Sequence, residues 1–550
     1  MAKDGAVVST SDGESGAPAP LSPQPPSARR SLAFAAVIMI GAFVMSRVSG
    51  LLRDIVVSYY FGTSPEYAAY LAANRIPDFI FQVTAGGAVA SAFIPVFTEY
   101  VVGERHEAAR RFISSLYTIA FAALAPLLIL LALFAPSVVG VLAPEFDPEL
   151  RALAANLTRV MLVAPLLFTW GCFATSILQT YQRFLLPALA PTIYNLALIG
   201  GAASSAYVFD PAERIYGLAF GAAIGSFLFL AIQVPGLWTH GVRYSPILDL
   251  ADEGVRRVGL LMIPRTLGLA VAQANFLVTL YLASGIPQQY AALDYAWRLT
   301  MLPLGIFAMA LASAAFPTLA EQGARRQIVE MRGTVVDMLR LILYLTIPAS
   351  IGLIVLRVPI IQLLFERGDF TAESTRDTAV ALQFYAASLF AQAAIEILAR
   401  AFYALQDTRT PVAAAFGAML VNAALGAALL GPLQHAGLAL ALSVASTAEA
   451  LALLYLLRRR LGGIYANQLL GSVLRTSAAA TAMGLAVFWF ADDLLPSLLP
   501  ALTAPVLIAR VVYVGVAVAV GGAVYFGLTV ALGSTEAQQV MARVRRRGKT

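Results

Sequence analysis

Apolar blocks of the length that crosses a bilayer, about 20 residues each, follow one another along most of this 550-residue chain. Backbone amides and carbonyls find no water in lipid, so blocks of this kind pair their polar groups internally, as helices. The spacing predicts about fourteen transmembrane helices, over 32–61, 66–98, 113–140, 150–180, 186–208, 214–238, 255–284, 288–319, 333–364, 374–405, 410–430, 436–458, 470–491 and 502–532. The expected fold class is an all-α polytopic membrane protein; 59% hydrophobic and only 12% charged residues exclude a soluble one. Residues 1–30, rich in Pro, Ser, Ala and Gly, read as a disordered cytoplasmic tail without a cleavable signal peptide.

Cytoplasmic loops collect Lys and Arg, which tests the count independently. Every second connection is basic. Arg105, Arg110 and Arg111 follow the second span, Arg183 the fourth, Arg243, Arg256 and Arg257 the sixth, Arg325, Arg326 and Arg332 the eighth, Arg409 the tenth and Arg458 to Arg460 the twelfth. The alternate connections are poor in arginine or acidic, among them Glu66, then Glu145 with Asp147, and the FERGDF and ADDLLPS turns. Both termini, with Arg29, Arg30 and a basic tail over 534–550, then lie in the cytoplasm, as an even number of spans requires. The net charge of +6 reflects membrane topology, not nucleic-acid binding. Lysine occurs only at Lys3 and Lys549, and a single Cys172 excludes an intrachain disulfide.

An internal repeat is also visible. Tyr67, Ala68 and Ala69, Arg75, Ala90 to Ala92, Pro95 and Glu99 recur in the same order as Tyr290, Ala291 and Ala292, Arg298, Ala312 to Ala314, Pro317 and Glu321, about 222 residues further on. An offset of six spans preserves orientation. Two lobes are therefore expected about a pseudo-two-fold along the membrane normal, an N-lobe over 31–240 and a C-lobe over 241–462. Residues 463–533 hold two further spans outside the repeat. Chance recurrence of small residues is the competing reading, and the shared motif order weighs against it. A duplicated bundle predicts a site between the lobes with alternating access, which favours a transporter over a channel or a scaffold.

A charge near the bilayer centre costs roughly 2.5–3.5 kcal/mol on insertion scales, so such residues mark wet cavities or partners. In the first span SRVSGLLRD places Arg47 and Arg53 six residues apart, about 120° around a helix, with Gly50 between them as a place to bend. Arg47 is read as lining a cavity; Arg53, next to Asp54, either reaches the same cavity or snorkels to the outer interface. In the second span Arg75, Asp78 and Gln82 share a face, and Asp78 is either part of the site or the counter-ion of Arg75. In the eighth, Asp294 and Arg298 lie one turn apart, and Arg298 takes the repeat position of Arg75. Two arginines facing each other across a two-fold suit an anionic, symmetric headgroup such as a diphosphate, because guanidinium groups grip phosphate oxygens bidentately. The expected substrate-binding set is Arg47, Arg53, Arg75, Asp78, Gln82, Asp294 and Arg298. Arg265 in the seventh span and the Glu396 and Arg400 pair in the tenth are accessory candidates, the pair being equally readable as structural. P-loop, HExxH and CxxC motifs are lacking, and His106, His240 and His435 fall in or near loops. The chain is accordingly not read as an enzyme, no metal or cofactor is expected, and transport must draw on an ion gradient, the membrane potential or the substrate gradient.

SRVSGLLRD with Phe61 and Gly62, ANRIPD, SAFIPVFTEY, YAWRL, FERGDFTA, RAFYALQDTRTPV and GPLQHAGLALAL together resemble the MurJ/MviN family over roughly Ser31 to Leu461. That family comprises bacterial lipid II flippases of the multidrug/oligosaccharidyl-lipid/polysaccharide (MOP) exporter superfamily. The resemblance implies fourteen helices in two lobes of six, with a last pair forming a groove for the undecaprenyl tail. It also implies that Arg47, Arg53 and Arg298 match the family's essential cavity arginines, which hold the diphosphate and sugar headgroup. Asn422 matches an eleventh-helix asparagine that in some members precedes a sodium-binding acid by one turn. Here Gly426 stands at that place, which points to membrane potential as the drive. Where well-known Gram-negative members carry charges in spans two and eight, this chain has Ala68, Gln82, Gly86, Trp297 and Met301, with Glu66, Asp78 and Asp294 as neighbouring substitutes.

The function expected is export of lipid II from the inner to the outer leaflet for peptidoglycan synthesis, with lipid II, membrane lipids and cell-wall synthesis proteins as partners. Two alternatives stand beside it. A flippase for another polyprenyl-diphosphate glycan, or a drug exporter of the same superfamily, shares the architecture, although drug exporters usually have twelve helices and lack the arginines. A non-transporting scaffold for cell-wall assembly typically carries a large soluble domain, whereas the tails here are short.

Overall fold

Proline and short polar turns decide where each apolar run becomes a helix and where it breaks. In the computed structural model backbone is described for residues 26–84, 88–490 and 506–538, and side chains for all of these except 26–40, 43, 88, 90, 91, 263–272 and 506. The tails expected over 1–30 and 534–550 lie mostly outside the described residues, as do Gly86 and the side chain of Arg265.

The first two spans are α1 Pro26–Phe61, then α2 Pro65–Thr84 and α3 Ala88–Val102. The third is α4 His106–Leu133 with α5 Ala135–Leu142, and the fourth α6 Pro148–Met161 with α7 Ala164–Thr180. α8 Leu185–Val208, α9 Ile215–Ala231 and α10 Val234–Thr239 complete the N-terminal half. The C-terminal half begins with α11 Glu253–Ala283, then α12 Pro287–Pro303, which runs through a π turn over Leu304–Met309 into α13 Ala310–Ala324. It continues with α14 Ile328–Val355, α15 Arg357–Leu364, α16 Ala372–Ala387, α17 Leu389–Ala404 and α18 Arg409–Arg460. α19 Ala466–Trp489 and α20 Val506–Ala531 follow.

Three of the breaks within spans fall beside proline. Pro136, Pro165 and Pro235 stand in the first turns of α5, α7 and α10, where a missing N–H leaves no helical bond unmade. The eleventh and twelfth spans are separate helices, as expected, and lie within α18, where non-helical backbone at Gln434 (φ 49°, ψ −132°) divides them. The chain bends so sharply there that a Cβ on Gly437 would overlap the Leu429 carbonyl. The two spans are therefore its two arms. Among the described residues nine helices, or ten with the α16–α17 pair bent by 44°, are long and apolar enough to cross a membrane. With α1, α2–α3, α11 and the second arm of α18, the architecture is compatible with fourteen spans.

Packing partners recur six spans apart. α1 packs on α8, α2 on α6 and α3 on α7; correspondingly α11 packs on α18, α12 on α16 and α13 on α17. α19 lies against α14 and α20 against α15. At the arginine-rich face each half has a cluster of its own, one around Phe93, Phe97, Phe112 and Phe173 with the start of α11, the other around Leu339, Leu398 and Phe402. Toward the arginine-poor face they share one. Tyr67 stacks on Tyr295 at 5.3 Å between centroids, and Tyr295 meets Phe365 at 5.1 Å and Phe370 at 5.3 Å. Close packing of this kind, not expulsion of water, is what associates helices in lipid, and here it joins side chains of both halves.

Two seams reinforce that closure. In the first, the Asp369 amide donates to the Tyr59 carbonyl at 2.9 Å and the hydroxyls of Thr63 and Ser374 pair at 2.7 Å. Gly62 (φ 50°) and Gly368 (φ 62°) make that approach possible, since a Cβ on either would overlap backbone of the other half. In the second, the Glu145 amide donates to Ser284 Oγ at 3.3 Å, with the Glu145 carboxylate packed against Gly285.

The start of the C-terminal tail is docked rather than free. Glu536 accepts from Arg340 Nε at 2.8 Å and from Ser472 Oγ at 2.9 Å through one carboxylate oxygen, and from Ser534 Oγ at 2.6 Å through the other. These donors, working against the cost of burial, bring its pKa from an ordinary 4.5 down to about 2. A depressed acid stabilises the fold above its unfolded pKa and loses that effect as pH falls through the folded one. Glu536→Gln should therefore lower the melting temperature of the detergent-purified protein by the same amount at pH 6 and pH 8, with the gap to the parent closing only below about 4.5.

Candidate functional site

The costliest residues in the bundle are its intramembrane charges, and the fold brings five of them, Arg53, Asp54, Arg75, Asp294 and Arg298, into one chain of ion pairs. At 1.5 Å per residue, Arg53 lies about 12 Å from the end of α1, Arg75 about 15 Å from the start of α2 and Arg298 about 16 Å from the start of α12. All three are thus deep in the apolar layer. Asp294 is 7% exposed and is clamped on both oxygens, by Arg75 Nη2 at 3.0 Å and Arg298 Nε at 2.5 Å. Arg298 Nη1 reaches on to Asp54 at 3.1 Å, Asp54 is held by Arg53 Nη2 at 2.8 Å, and Arg53 Nη1 donates to Asn195 at 3.0 Å. The chain of contacts runs from α8 through α1 and α12 to α2, so it crosses between the halves twice.

Each arginine has a second anchor. Arg75 Nε donates to the Tyr290 hydroxyl at 3.0 Å and its guanidinium lies 5.1 Å from the Phe276 ring centre. Arg298, its repeat counterpart, lies beside Tyr67, the counterpart of Tyr290. Asn195 also donates to Ser49 Oγ at 3.0 Å.

The remaining expected residues divide. Arg47 extends across to the π turn, its Nη2 3.4 Å from where a Cβ on Gly305 would be. Asp78 lies in the field of Arg75 with Gln82 against its carboxylate. Asn422 donates to Asn275 at 2.8 Å, and Asn275 lines a cavity of about 40 Å³ together with Arg75, Asp294, Tyr290 and Trp297. Such a space holds one or two waters, not a headgroup. Glu396 and Arg400 pair at 2.5 Å and reach Ser313 within the C-terminal half, away from the chain of ion pairs. Asp54, Asn195 and Tyr290 were not among the expected site residues. Asp54 sits near enough to the helix end to pass for an interfacial residue, and the other two carry no charge to flag them.

A family model described as "Lipid II flippase MurJ" matches residues 57–531. The chain belongs to the MurJ lipid II flippase family. The lipid II flippase MurJ of Burkholderia cenocepacia is 31% identical over 441 residues, covering 78% of this chain and 84% of that protein. A probable lipid II flippase MurJ of Haemophilus influenzae is 31% identical over 472 residues, covering 82% and 91%. Among solved structures, a lipid II flippase MurJ in an inward closed conformation superposes with a TM-score of 0.74 at 25% identity, over 92% of this chain and all of that one. An inward-facing multidrug MATE transporter of the MOP superfamily matches over 78% of this chain and 98% of its own with a TM-score of 0.65 at 14% identity, a likeness of fold alone. The family and the all-helical MOP architecture expected from the motifs thus hold, and with them a multi-pass membrane protein.

Proposed function

We propose that this protein flips lipid II, the undecaprenyl-diphosphate-linked peptidoglycan precursor, from the inner to the outer leaflet of the bacterial plasma membrane by alternating access. The observation that carries the reading is the clamp on Asp294, where two repeat-related arginines, one from each half, close on the two oxygens of a single anion. A diphosphate presents the same kind of oxygens in larger number and with more charge, so Asp54 and Asp294 occupy positions that phosphate oxygens would take. Substrate entry exchanges carboxylate for phosphate on Arg75 and Arg298, and the cross-half pairs then no longer hold the two lobes in one arrangement.

In this reading an N-lobe over 31–240 rocks against a C-lobe over 241–462, and 463–533 holds the lipid tail. Arg47 and Arg53 take the rest of the headgroup, with Asp78 and Gln82 beside Arg75. Arg265, Glu396, Arg400 and Asn422 are accessory. Both termini are cytoplasmic, which makes the arginine-poor face the outer one. No side chain acts as a catalyst and no cofactor takes part. Gly426, one turn after Asn422, supports drive by membrane potential over sodium coupling. The reading is tested in intact cells depleted of their own flippase, by adding an impermeant enzyme that cleaves lipid II only at the outer surface. Expressing this protein should restore cleavage; cells that stay uncleaved would refute the assignment.

A further inference from the structure

The repeat relates the two seams at the arginine-poor face: residues 62–63 correspond to 284–285 and residues 366–369 to about 144–147. They are braced differently. In one, Glu145 meets Ser284 and Gly285. In the other, the turn that follows α15 carries Glu366, held on one carboxylate oxygen by Arg510 Nη2 of α20 at 2.8 Å and on the other by Thr375 Oγ1 at 2.8 Å. Arg510 Nη1 also donates to the carbonyl oxygens of Gln362 at 2.9 Å and of Glu366 at 3.3 Å. A planar guanidinium with this many acceptors on one turn fixes the backbone as well as the side chain. Two residues further on, Gly368 and Asp369 form the seam itself.

We infer that Arg510 is a positioning residue for transport: it holds the 362–369 turn in the shape that closes one seam, and so ties that seam to the C-terminal helix pair. The assignment rests on the alternating-access reading above, not on which lipid is carried. α20 belongs to the pair given to the lipid tail, so a tail lying against it meets the seam through one side chain.

The test uses the full chain in native membranes, with Cys172→Ser removing the single native thiol. Disulfide formation is timed for the pair Thr63→Cys with Ser374→Cys, and separately for Glu145→Cys with Ser284→Cys. Adding Arg510→Gln should slow the first pair about tenfold, the effect of losing one charge-assisted pair, and leave the second pair unchanged. Glu366→Gln should do the same. Equal slowing of both pairs, the mark of a bundle that no longer packs, overturns the assignment, as does no slowing of either. Lipid II exposure, measured on flippase-depleted cells that express the chain with Arg510 and without the introduced cysteines, separates the two readings. Selective slowing by Arg510→Gln, when that parent chain exposes no lipid II, would refute the function and leave the brace standing.

Discussion

Arg298→Ala should leave a flippase-depleted bacterium unable to grow, although the protein still inserts at its normal level. Arg298 is where the two halves exchange charge, with Asp294 on its own helix and Asp54 on α1 both within 3.1 Å. Removing it leaves one oxygen of Asp294 and the cross-half side of Asp54 without a cation, a cost of roughly 3–5 kcal/mol, although Arg75 still holds Asp294 and Arg53 still holds Asp54. On the proposed function transport loses more, because the donor set that reaches from one half to the other is the one assigned to the headgroup. Arg298→Lys should fail almost as badly. An ammonium is a point charge and cannot span two carboxylates, or two phosphates, in a fixed plane. Growth on agar, with membrane level checked by immunoblot and folding by thermal shift, decides the matter. Normal growth of Arg298→Ala would remove the cavity arginines from the mechanism.

Gly368→Val is expected to be nearly as severe, by a different route. Gly368 has φ 62°, a region that costs a residue with a Cβ roughly 1–2 kcal/mol, and the added atoms would overlap the Tyr59 carbonyl across the seam. A backbone carbonyl cannot swing aside, so the first seam stays open and the carrier cannot complete its cycle. Growth should fall to the level of the empty vector, and the Thr63→Cys with Ser374→Cys disulfide should form far more slowly. Gly417→Ala is the matching control, since nothing lies within 4 Å of a Cβ there. Wild-type growth of Gly368→Val would show that closure of this seam is dispensable.

Which features could be read from the chain follows from what each costs. An apolar run of bilayer length has few alternatives to a helix, so the runs were legible, and Arg47, Arg53, Arg75 and Arg298 stand out because charge inside such a run is expensive. Arg75 and Arg298 could also be paired through the repeat, and they share Asp294. Asn195 and Tyr290 were not legible as partners. Neutral polar residues 142 and 215 positions from the arginines they bind leave no local mark. Arg510 with Glu366 and Arg340 with Glu536 were missed for the opposite reason, since a charge close to the end of a span carries no penalty that demands a partner.

The polar core has one further property, in how its charges are distributed among helices. Arg53 neighbours Asp54 on α1, Arg75 is one turn from Asp78 on α2, and Arg298 is one turn from Asp294 on α12. In the proposed rocking of the halves, the bonds that break are Arg75 to Asp294 and Arg298 to Asp54, and each of these three cations keeps a counter-charge on its own helix. Separation on that scheme strands none of the three in hydrocarbon, and avoids the electrostatic toll that three bare guanidinium groups would impose.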